Sequence, residues 1–136
     1  MASFEIGGIE GLILSTEEMS KIPDDVFSEM LIAGAEIVEA AQKKKGRVYG
    51  VYLTGDTLNS IRHGKPRRTR SGRYIDVAPQ GTDRDGNRNA EVAFVNEYGV
   101  KGRQKPRPFI RDANEEAAPR VVDAQEKKFD DWLKKF

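Results

Sequence analysis

The clearest hydrophobic pattern in the chain predicts a long amphipathic helix over residues 23–45. A proline followed by two acids at 23–25 is typical of a helix start, and three lysines followed by Gly46 are typical of a helix end. Between them the apolar positions step by four, three, four and three residues: Val26, Met30, Ala33, Ile37 and Ala40. Such a wide apolar stripe requires a partner surface, most simply a sheet.

The segment before this helix has a weaker pattern. Residues 4–6 alternate as a short strand does, and two glycines follow. Three apolar residues then recur at helical spacing and indicate a short helix over about 9–20. Ser15 with Glu18 three residues later would instead form a capping box, which starts the helix at Ser15. The sequence leaves both starts open.

The middle of the chain is predicted to form a β-meander. Residues 48–52 have β-prone side chains, and 54–56 is predicted to be a turn. Leu58 and Ile61 are two buried positions of a short helical turn or a strand. Residues 74–78, stopped by a proline, and 91–95 are predicted to be antiparallel strands that a hairpin turn at 80–89 joins.

The chain as a whole is predicted to have an α+β fold. A second helix starts at Phe109 and runs to the C-terminus, with a kink or a restart at Pro119. The order of helix, strands and helix predicts a small antiparallel sheet packed by a long N-terminal helix and a C-terminal helix. We expect a single domain over residues 1–136, with 62–73 as a mobile basic loop or hairpin arm.

Composition narrows the class of protein. The 136 residues suffice for a core without disulfides or metals. The absence of cysteine excludes disulfides and thiol chemistry and fits synthesis in the cytosol. No apolar run approaches the roughly 18 residues that a membrane helix needs, and the N-terminus has no signal-peptide pattern. We therefore expect no contact with a membrane.

The net charge of +1 hides an uneven distribution. Residues 1–40 carry nine acids and one base, whereas residues 41–75 carry ten bases and one acid. Two such segments can neutralise each other within one chain or pair head-to-tail between two copies. A solvated acidic helix face beside a solvated basic loop is the simpler alternative.

Catalytic and metal-binding patterns are weak. The single histidine, His63, lies in a basic segment without an acid beside it in sequence, and no nucleophile motif or phosphate-binding loop is present. Asp83 and Asp85 faintly resemble a calcium loop, but the twelfth position holds Phe94 instead of glutamate. A turn rich in Asp, Asn and Gly explains them better. We predict no enzyme activity, no cofactor and no metal.

Basic side chains are concentrated in residues 62–73. A contact with an acidic protein surface, a solvated loop and a contact with DNA phosphates all fit this composition. Tyr74 is the one aromatic residue nearby, so a stacking platform for bases is lacking, and the sequence pI of about 7.9 is low for a nucleic-acid-binding domain. The six cations are Arg62, Lys65, Arg67, Arg68, Arg70 and Arg73.

Residues 96–111 have a plain structural interpretation. Tyr98 and Phe109 are predicted to be buried anchors, and Gly99 permits a left-handed turn. Pro106 and Pro108 fix an extended entry into the second helix. Arg107 and Arg111 would then project from a rigid frame towards a partner.

Three segments occur in order along the chain: Thr54-Gly55-Asp56-Thr57-Leu58-Asn59-Ser60-Ile61, Asn96-Glu97-Tyr98-Gly99 and Pro106-Arg107-Pro108-Phe109-Ile110-Arg111-x-Ala113. Through them the chain resembles a family of tailed-phage head–tail joining proteins, the HK97-type tail-component or neck proteins. The first segment is one residue longer between Gly55 and Leu58 than the usual family spacing, and the long basic loop is a further departure. The motif positions are Thr54, Gly55, Leu58, Ser60, Ile61, Glu97, Tyr98, Gly99, Pro106, Pro108 and Phe109.

The resemblance implies a virion structural protein at the head–tail junction, present in the host cytoplasm during assembly. It implies a homo-oligomeric ring, such as a hexamer, in contact with connector or stopper proteins and with tail-tube or tail-terminator proteins. DNA would pass through the ring without specific binding. The candidate interface residues are Arg62, Arg67, Arg68, Arg70, Arg107 and Arg111. The alternative is a small nucleic-acid-binding protein that uses the 62–73 arm.

Overall fold

The computed structural model describes residues 2–6, 9–14, 22–51, 54–70 and 72–135, and within them the fold is α+β, as predicted. The helices are α1 (Asp24–Val48), α2 (Asp56–Asn59), α3 (Asn89–Tyr98) and α4 (Phe109–Leu133). The strands are β1 (Ala2–Ile6), β2 (Ile9–Leu14), β3 (Ile61–His63), β4 (Arg67–Thr69), β5 (Gly72–Tyr74) and β6 (Val77–Pro79).

The centre of the fold is an antiparallel pair of helices, α1 and α4, and not a helix on a sheet as the sequence suggested. Gln42 near the end of α1 meets Asn114 near the start of α4, whereas Gly34 faces Val121 and Gln125 further along. The buried residues of α4 recur every four positions and are mostly small, which lets the two helices approach closely: Phe109, Ala113, Ala117, Val121 and Gln125.

The predicted helix over 23–45 is confirmed, but it ends differently. Two acids occupy its first turn, as expected. Gly46, predicted to end the helix, lies inside it, since the helix runs to Val48. A Cβ atom on Gly46 would lie 2.4 Å from Leu58 Cδ2. The glycine is thus needed for close packing on α2. The chain leaves the helix through Gly50, whose φ of +79° favours glycine.

The strands form three two-stranded antiparallel sheets in the described residues, β1–β2, β3–β6 and β4–β5. The short strand at 4–6 is confirmed as part of β1. The predicted helix over 9–20 is wrong for residues 9–14, because they pair as β2 with β1, from Ile9 opposite Ile6 to Leu14 opposite Ala2; residues 15–20 lie outside the described residues. Four apolar residues among the six at 9–14 fit both the helical and the strand spacing, and the pairing with β1 decides between them. The alternative start at Ser15 lies outside the described residues.

The basic segment is a hairpin and not an open loop. Arg67 is opposite Tyr74, and Thr69 is opposite Gly72, so the hairpin-arm alternative is the correct one. The predicted strand over 74–78 is divided between β5 and β6, with Pro79 as the last residue of β6 opposite Ile61. Before it, the β-prone run 48–52 contains the last residue of α1, a turn and buried Val51; Tyr52 lies outside the described residues.

The predicted strand over 91–95 is wrong, because this segment lies in α3. Asn89, Ala93 and Glu97 are its buried residues, and their spacing of four is helical. The alternation of Val92 and Phe94 with smaller residues resembled a strand, but packing on α2 selects the helix. The turn predicted at 80–89 is present, with Thr82 bridged to Arg88. It leads into α3 and not into a strand.

Pro119 does not restart the C-terminal helix, since α4 is a single element from Phe109 to Leu133. The proline ring is exposed, and buried Ala117 and Val121 on either side hold the helix against α1. None of the helices in the described ranges is long and apolar enough to cross a bilayer.

Candidate subunit interface

Two of the three motif segments meet in one buried cluster, and the helix that carries the other segment contributes to it. Leu58 and Ile61 come from the first segment and Phe109 from the third, and they pack with Val51 and Ala93. Ala93 lies on α3, four residues before the buried Glu97 of the second segment. The cluster therefore joins α2, α3 and the start of α4 into one frame.

The first motif segment has structural roles throughout. Gly55, with φ +81°, precedes α2, and the Thr54 hydroxyl accepts a hydrogen bond from the N–H of Asp56 at 3.3 Å. The Ser60 hydroxyl donates to the Thr57 carbonyl at 2.7 Å and accepts from the Gln80 N–H at 3.2 Å. These bonds hold α2 against the strand end at β6.

Asp56 and Arg84 form a two-pronged ion pair that the sequence did not reveal. Arg84 Nε lies 2.9 Å from Oδ2 of Asp56, and Nη2 lies 2.7 Å from Oδ1. The backbone N–H of Arg84 also donates to Oδ2 at 2.9 Å. These bonds hold the pKa of Asp56 well below its usual range. The pair fixes the turn before α3 to the start of α2.

Asn89 is a second residue that sequence reasoning missed. It is buried at the start of α3, where its Oδ1 accepts from the Thr57 hydroxyl at 3.1 Å and its Nδ2 donates to the Gln80 carbonyl at 2.7 Å. Asn89 is the first residue of α3 and not its cap, since Arg88 precedes it at the cap position. Its side chain joins α3 to α2 and to the strand end at β6.

Asn96 and Glu97 at the end of α3 organise the segment that follows. The Asn96 carbonyl accepts from the Arg107 N–H at 2.7 Å, and its side chain accepts from Gln104 Nε2 at 3.0 Å. Glu97 is buried, and its carboxylate accepts from the N–H of Ile110 at 2.7 Å. The motif thus fixes both the 99–107 loop and the N-terminus of α4.

Gly99 is required by its surroundings as well as by its backbone. Its φ is +74°, and a Cβ atom would lie 2.6 Å from the Gln104 carbonyl oxygen and 2.7 Å from the Pro106 nitrogen. The positive φ predicted for Gly99 is found, but its ψ of −179° makes the residue extended instead of left-handed helical. Pro108 precedes α4 with φ −77°, as expected for a proline-set entry.

The two predicted anchors have different positions. Phe109 is fully buried, as predicted, but Tyr98 is 65% exposed, so its prediction as a buried anchor is wrong. Tyr98 lies at the C-terminal end of α3 on the face opposite the buried stripe. Its ring contacts that of Phe94, 63% exposed, with centroids 4.7 Å apart. With half-exposed Val95 and Val100 they form what we call the α3 apolar surface.

Cations border this surface. Tyr98 lines an open cleft together with Lys101, Arg103 and Lys105, whose side chains are exposed. Residues 99–107 contain four cations and no acid. From here on we call these residues the basic loop, and we call residues 67–70 and 72–74 the β4–β5 hairpin. The exposed Arg107 donates to the Gly50 carbonyl at 3.3 Å, which places this loop beside the C-terminal end of α1.

The predicted interface arginines form separate groups. Arg67, Arg68 and Arg70 are exposed on the β4–β5 hairpin, and Arg62 is exposed on β3. Arg73 ties the hairpin to the start of α1, since Nη2 lies 2.5 Å from Asp24 Oδ1 and the guanidinium covers the Phe27 ring at 4.3 Å.

Arg107 and Arg111 lie at the other end of α1, a helix about 37 Å long at 1.5 Å per residue. Exposed Arg111 pairs with Asp112 at 3.2 Å. At the same end the Tyr49 hydroxyl donates to Asp112 and Lys45 pairs with Glu116. These contacts lower the pKa of Asp112, chiefly through the Tyr49 hydrogen bond, and that of Glu116, chiefly through Lys45.

His63 has an acid neighbour that the sequence did not show. Its backbone N–H donates to the Glu39 carboxylate, and Nε2 lies 4.0 Å from the same group. Asp83 serves as a turn residue, because its Oδ1 accepts from the N–H groups of Asp85 and Asn87. In the part of the chain that the structure describes, no group of three His, Cys, Asp or Glu side chains is arranged to hold a metal ion.

Comparison with known proteins adds no relative. No family model matches the sequence, and neither a curated protein nor a solved structure matches the chain.

Proposed function

We propose that this chain is a structural subunit of a tailed-phage head–tail junction and acts by assembling into a homo-oligomeric ring. The observation that carries the proposal is the exposed Phe94–Tyr98 pair on a rigid frame. Large aromatic side chains together with arginine are typical of the energetically dominant residues of protein interfaces. A monomer without a partner gains nothing from leaving both rings in water.

The motif residues support this proposal through what they hold in place. Leu58, Ile61 and Phe109 form the cluster beneath α3, while Glu97 and Gly99 fix the helix start and the loop on either side of the exposed rings. An interface whose backbone is already ordered costs less conformational entropy on association. The family resemblance assigns the ring to the neck or the top of the tail, inside the virion.

Sedimentation velocity and negative-stain electron microscopy of the purified full chain test the proposal. We expect discrete ring-shaped oligomers, either free at high concentration or after addition of tail tubes. Monomers under both conditions would contradict it. Incorporation of the labelled chain at one end of purified tail tubes would support the assignment to the junction, whereas uniform decoration along the tube would not.

Nucleic-acid binding through the β4–β5 hairpin is a second candidate function. The observation in its favour is that Arg67, Arg68 and Arg70 are all exposed. Filter retention of duplex DNA over a range of NaCl concentrations distinguishes the two functions, because phosphate contacts give a steep loss of affinity with salt. Ring formation without DNA favours assembly, whereas DNA retention by a monomer favours this alternative.

A further inference from the structure

We infer that neighbouring subunits meet head-to-tail, with the α3 apolar surface and the basic loop of one copy on an acidic face of α1 in the next copy. This inference rests on the proposed function, since it names the contact by which the ring would form. It is carried by the matching of two surfaces of the same chain in charge and in apolar content.

The first surface combines an apolar centre with a cationic border. Phe94, Val95 and Tyr98 share one face of α3, and Val100 continues it into the loop. Lys101, Arg103 and Lys105 are exposed beside it and take part in no ion pair within the described residues. Such a surface fits a partner that is acidic at its edges and apolar between them.

The second surface lies on the N-terminal half of α1. Residues 22–42 contain five acids and no lysine or arginine. Two of these acids are engaged within the chain, since Asp24 pairs with Arg73 and Glu39 accepts from the His63 N–H. The remaining three are exposed and, in the described part of the chain, lie in no ion pair: Asp25, Glu29 and Glu36.

These three acids lie on one face of the helix. At 100° per residue their directions fall within about 40° of one another. Half-buried Ile32 lies in the same stripe, between Glu29 and Glu36. We call Asp25, Glu29, Ile32 and Glu36 the acidic stripe. It matches the loop end of the first surface in charge, because its carboxylates can face Lys101, Arg103 and Lys105 while Ile32 faces the apolar side chains next to them.

The positions of the two surfaces set the symmetry of the contact. The acidic stripe begins at the N-terminal end of α1, whereas Arg107 anchors the basic loop beside Gly50, after the C-terminal end. One copy therefore presents the two surfaces at different places. A copy that uses each surface for a different neighbour makes a heterologous contact. Such contacts repeat around a ring when the rotation closes.

The β4–β5 hairpin matches the acidic stripe less well. It lies at the same end of α1 as the stripe, and its Arg73 already neutralises Asp24 of the same chain. Nucleic acid matches the α3 apolar surface less well, because Val95 and Val100 offer no interaction to phosphates, and the two rings contact each other. A second copy of the chain can contact both the apolar side chains and the cations of this surface.

Charge reversal with mixing tests the contact. One variant carries Arg103→Glu with Lys105→Glu, and the other carries Glu29→Lys with Glu36→Lys. All four positions are exposed, so both variants should keep the far-UV circular dichroism of the wild type. Each variant alone should require at least about tenfold more protein for half-assembly in sedimentation velocity, and less so at high salt.

Mixing the two variants should restore assembly. In an alternating arrangement, each reversed loop meets a reversed stripe, and each native loop meets a native stripe. The matched control, Lys127→Glu with Lys128→Glu at two exposed positions of α4, should assemble as the wild type does. Phe94→Ser with Tyr98→Ser should weaken assembly by a similar factor, without the salt dependence of the charge variants.

The outcomes separate this contact from the proposed function. If the wild type forms rings while the loop and stripe variants also form them normally, or if mixing restores nothing, the contact is overturned and the ring function stands. If the loop variant forms rings normally but no longer retains DNA, the loop is a nucleic-acid surface and the contact is overturned. A wild type that never assembles overturns both.

Discussion

The carboxylate of Glu97 accepts a hydrogen bond from the backbone N–H of Ile110, with Oε1 2.7 Å from the nitrogen. Its other oxygen lies 3.4 Å from the N–H of Arg111. The side chain comes from the end of α3, and the two donors belong to the first turn of α4, where N–H groups have no partner within the helix. A negative charge there also interacts favourably with the helix dipole. One buried side chain thus couples the two helices around the basic loop.

Replacing Glu97 with alanine should destabilise the protein. We expect the free energy of unfolding in urea to fall by about 1–2 kcal/mol, because the change removes a helix cap between two elements. The matched control is Glu91→Ala on the exposed side of α3, where the nearest partner, Arg88, is 3.8 Å away in solvent. That change should stay within about 0.5 kcal/mol. Equal losses for both variants would contradict a capping role.

Two glycines of the basic loop separate backbone strain from steric conflict. Both have positive φ, +74° at Gly99 and +76° at Gly102, but a Cβ atom on Gly99 would collide with the Gln104 and Pro106 backbone, whereas one on Gly102 meets nothing within 4 Å. Gly102→Ala should cost about 1 kcal/mol through its φ. Gly99→Ala should cost clearly more, about 2–4 kcal/mol, because the loop must move. Urea unfolding of both variants measures the difference, and equal costs would contradict it.

The sequence predicted best where one pattern agreed with its flanking signals. The long helix had a stripe, acids at its start and lysines at its end, so α1 was placed within a few residues. The fold class followed from the order of elements. The predictions failed at 9–14 and 91–95. There the short apolar patterns fit both the helical and the strand spacing, and contacts with other parts of the chain decide which structure forms. Asn89 packs on Thr57 from 32 positions earlier in the chain, which local patterns do not contain.

The positions of the two predicted anchors agree with the sequence in part. Phe109 is buried as expected, but the exposure of Tyr98 depends on α3 being a helix. A strand would have directed Tyr98 to the core rim. A helix with Asn89, Ala93 and Glu97 buried directs it outwards. The position of the basic loop beside the end of α1 depends on the contact of Arg107 with Gly50, which joins segments 57 residues apart in the chain.

The Asp56–Arg84 pair should make part of the stability depend on acid pH. The pKa of Asp56 is lowered in the folded state, mainly by hydrogen bonds from Arg84. Its contribution is therefore present above the unfolded pKa of about 3.9 and is lost as the pH falls towards the lower folded value. Asp56→Asn should reduce stability at pH 7 and flatten its decline below about pH 4. Urea unfolding from pH 7 to pH 2.5 measures both effects.

A control for this titration is Asp131→Asn, at an exposed position near the end of α4. It should leave both the stability at pH 7 and the decline of stability below about pH 4 close to those of the wild type. If Asp56→Asn has the same pH dependence of stability as the wild type, the pair does not contribute to stability.

Two buried glutamines between α1 and α4 should respond differently to the same substitution. Gln42 and Gln125 each have a buried Oε1 without a hydrogen-bond partner in the described part of the chain. An unpaired buried oxygen costs about 1–3 kcal/mol. Methionine has a similar shape and no such atom, so Gln125→Met should raise the free energy of unfolding by about 1 kcal/mol. Gln42 also donates from Nε2 to Asn114 Oδ1 at 3.0 Å, and its replacement would leave that oxygen unpaired. Gln42→Met should therefore gain nothing or destabilise. Thermal and urea unfolding of both variants provide the comparison, and a stabilisation by Gln42→Met as large as that by Gln125→Met would contradict the role assigned to the Asn114 bond.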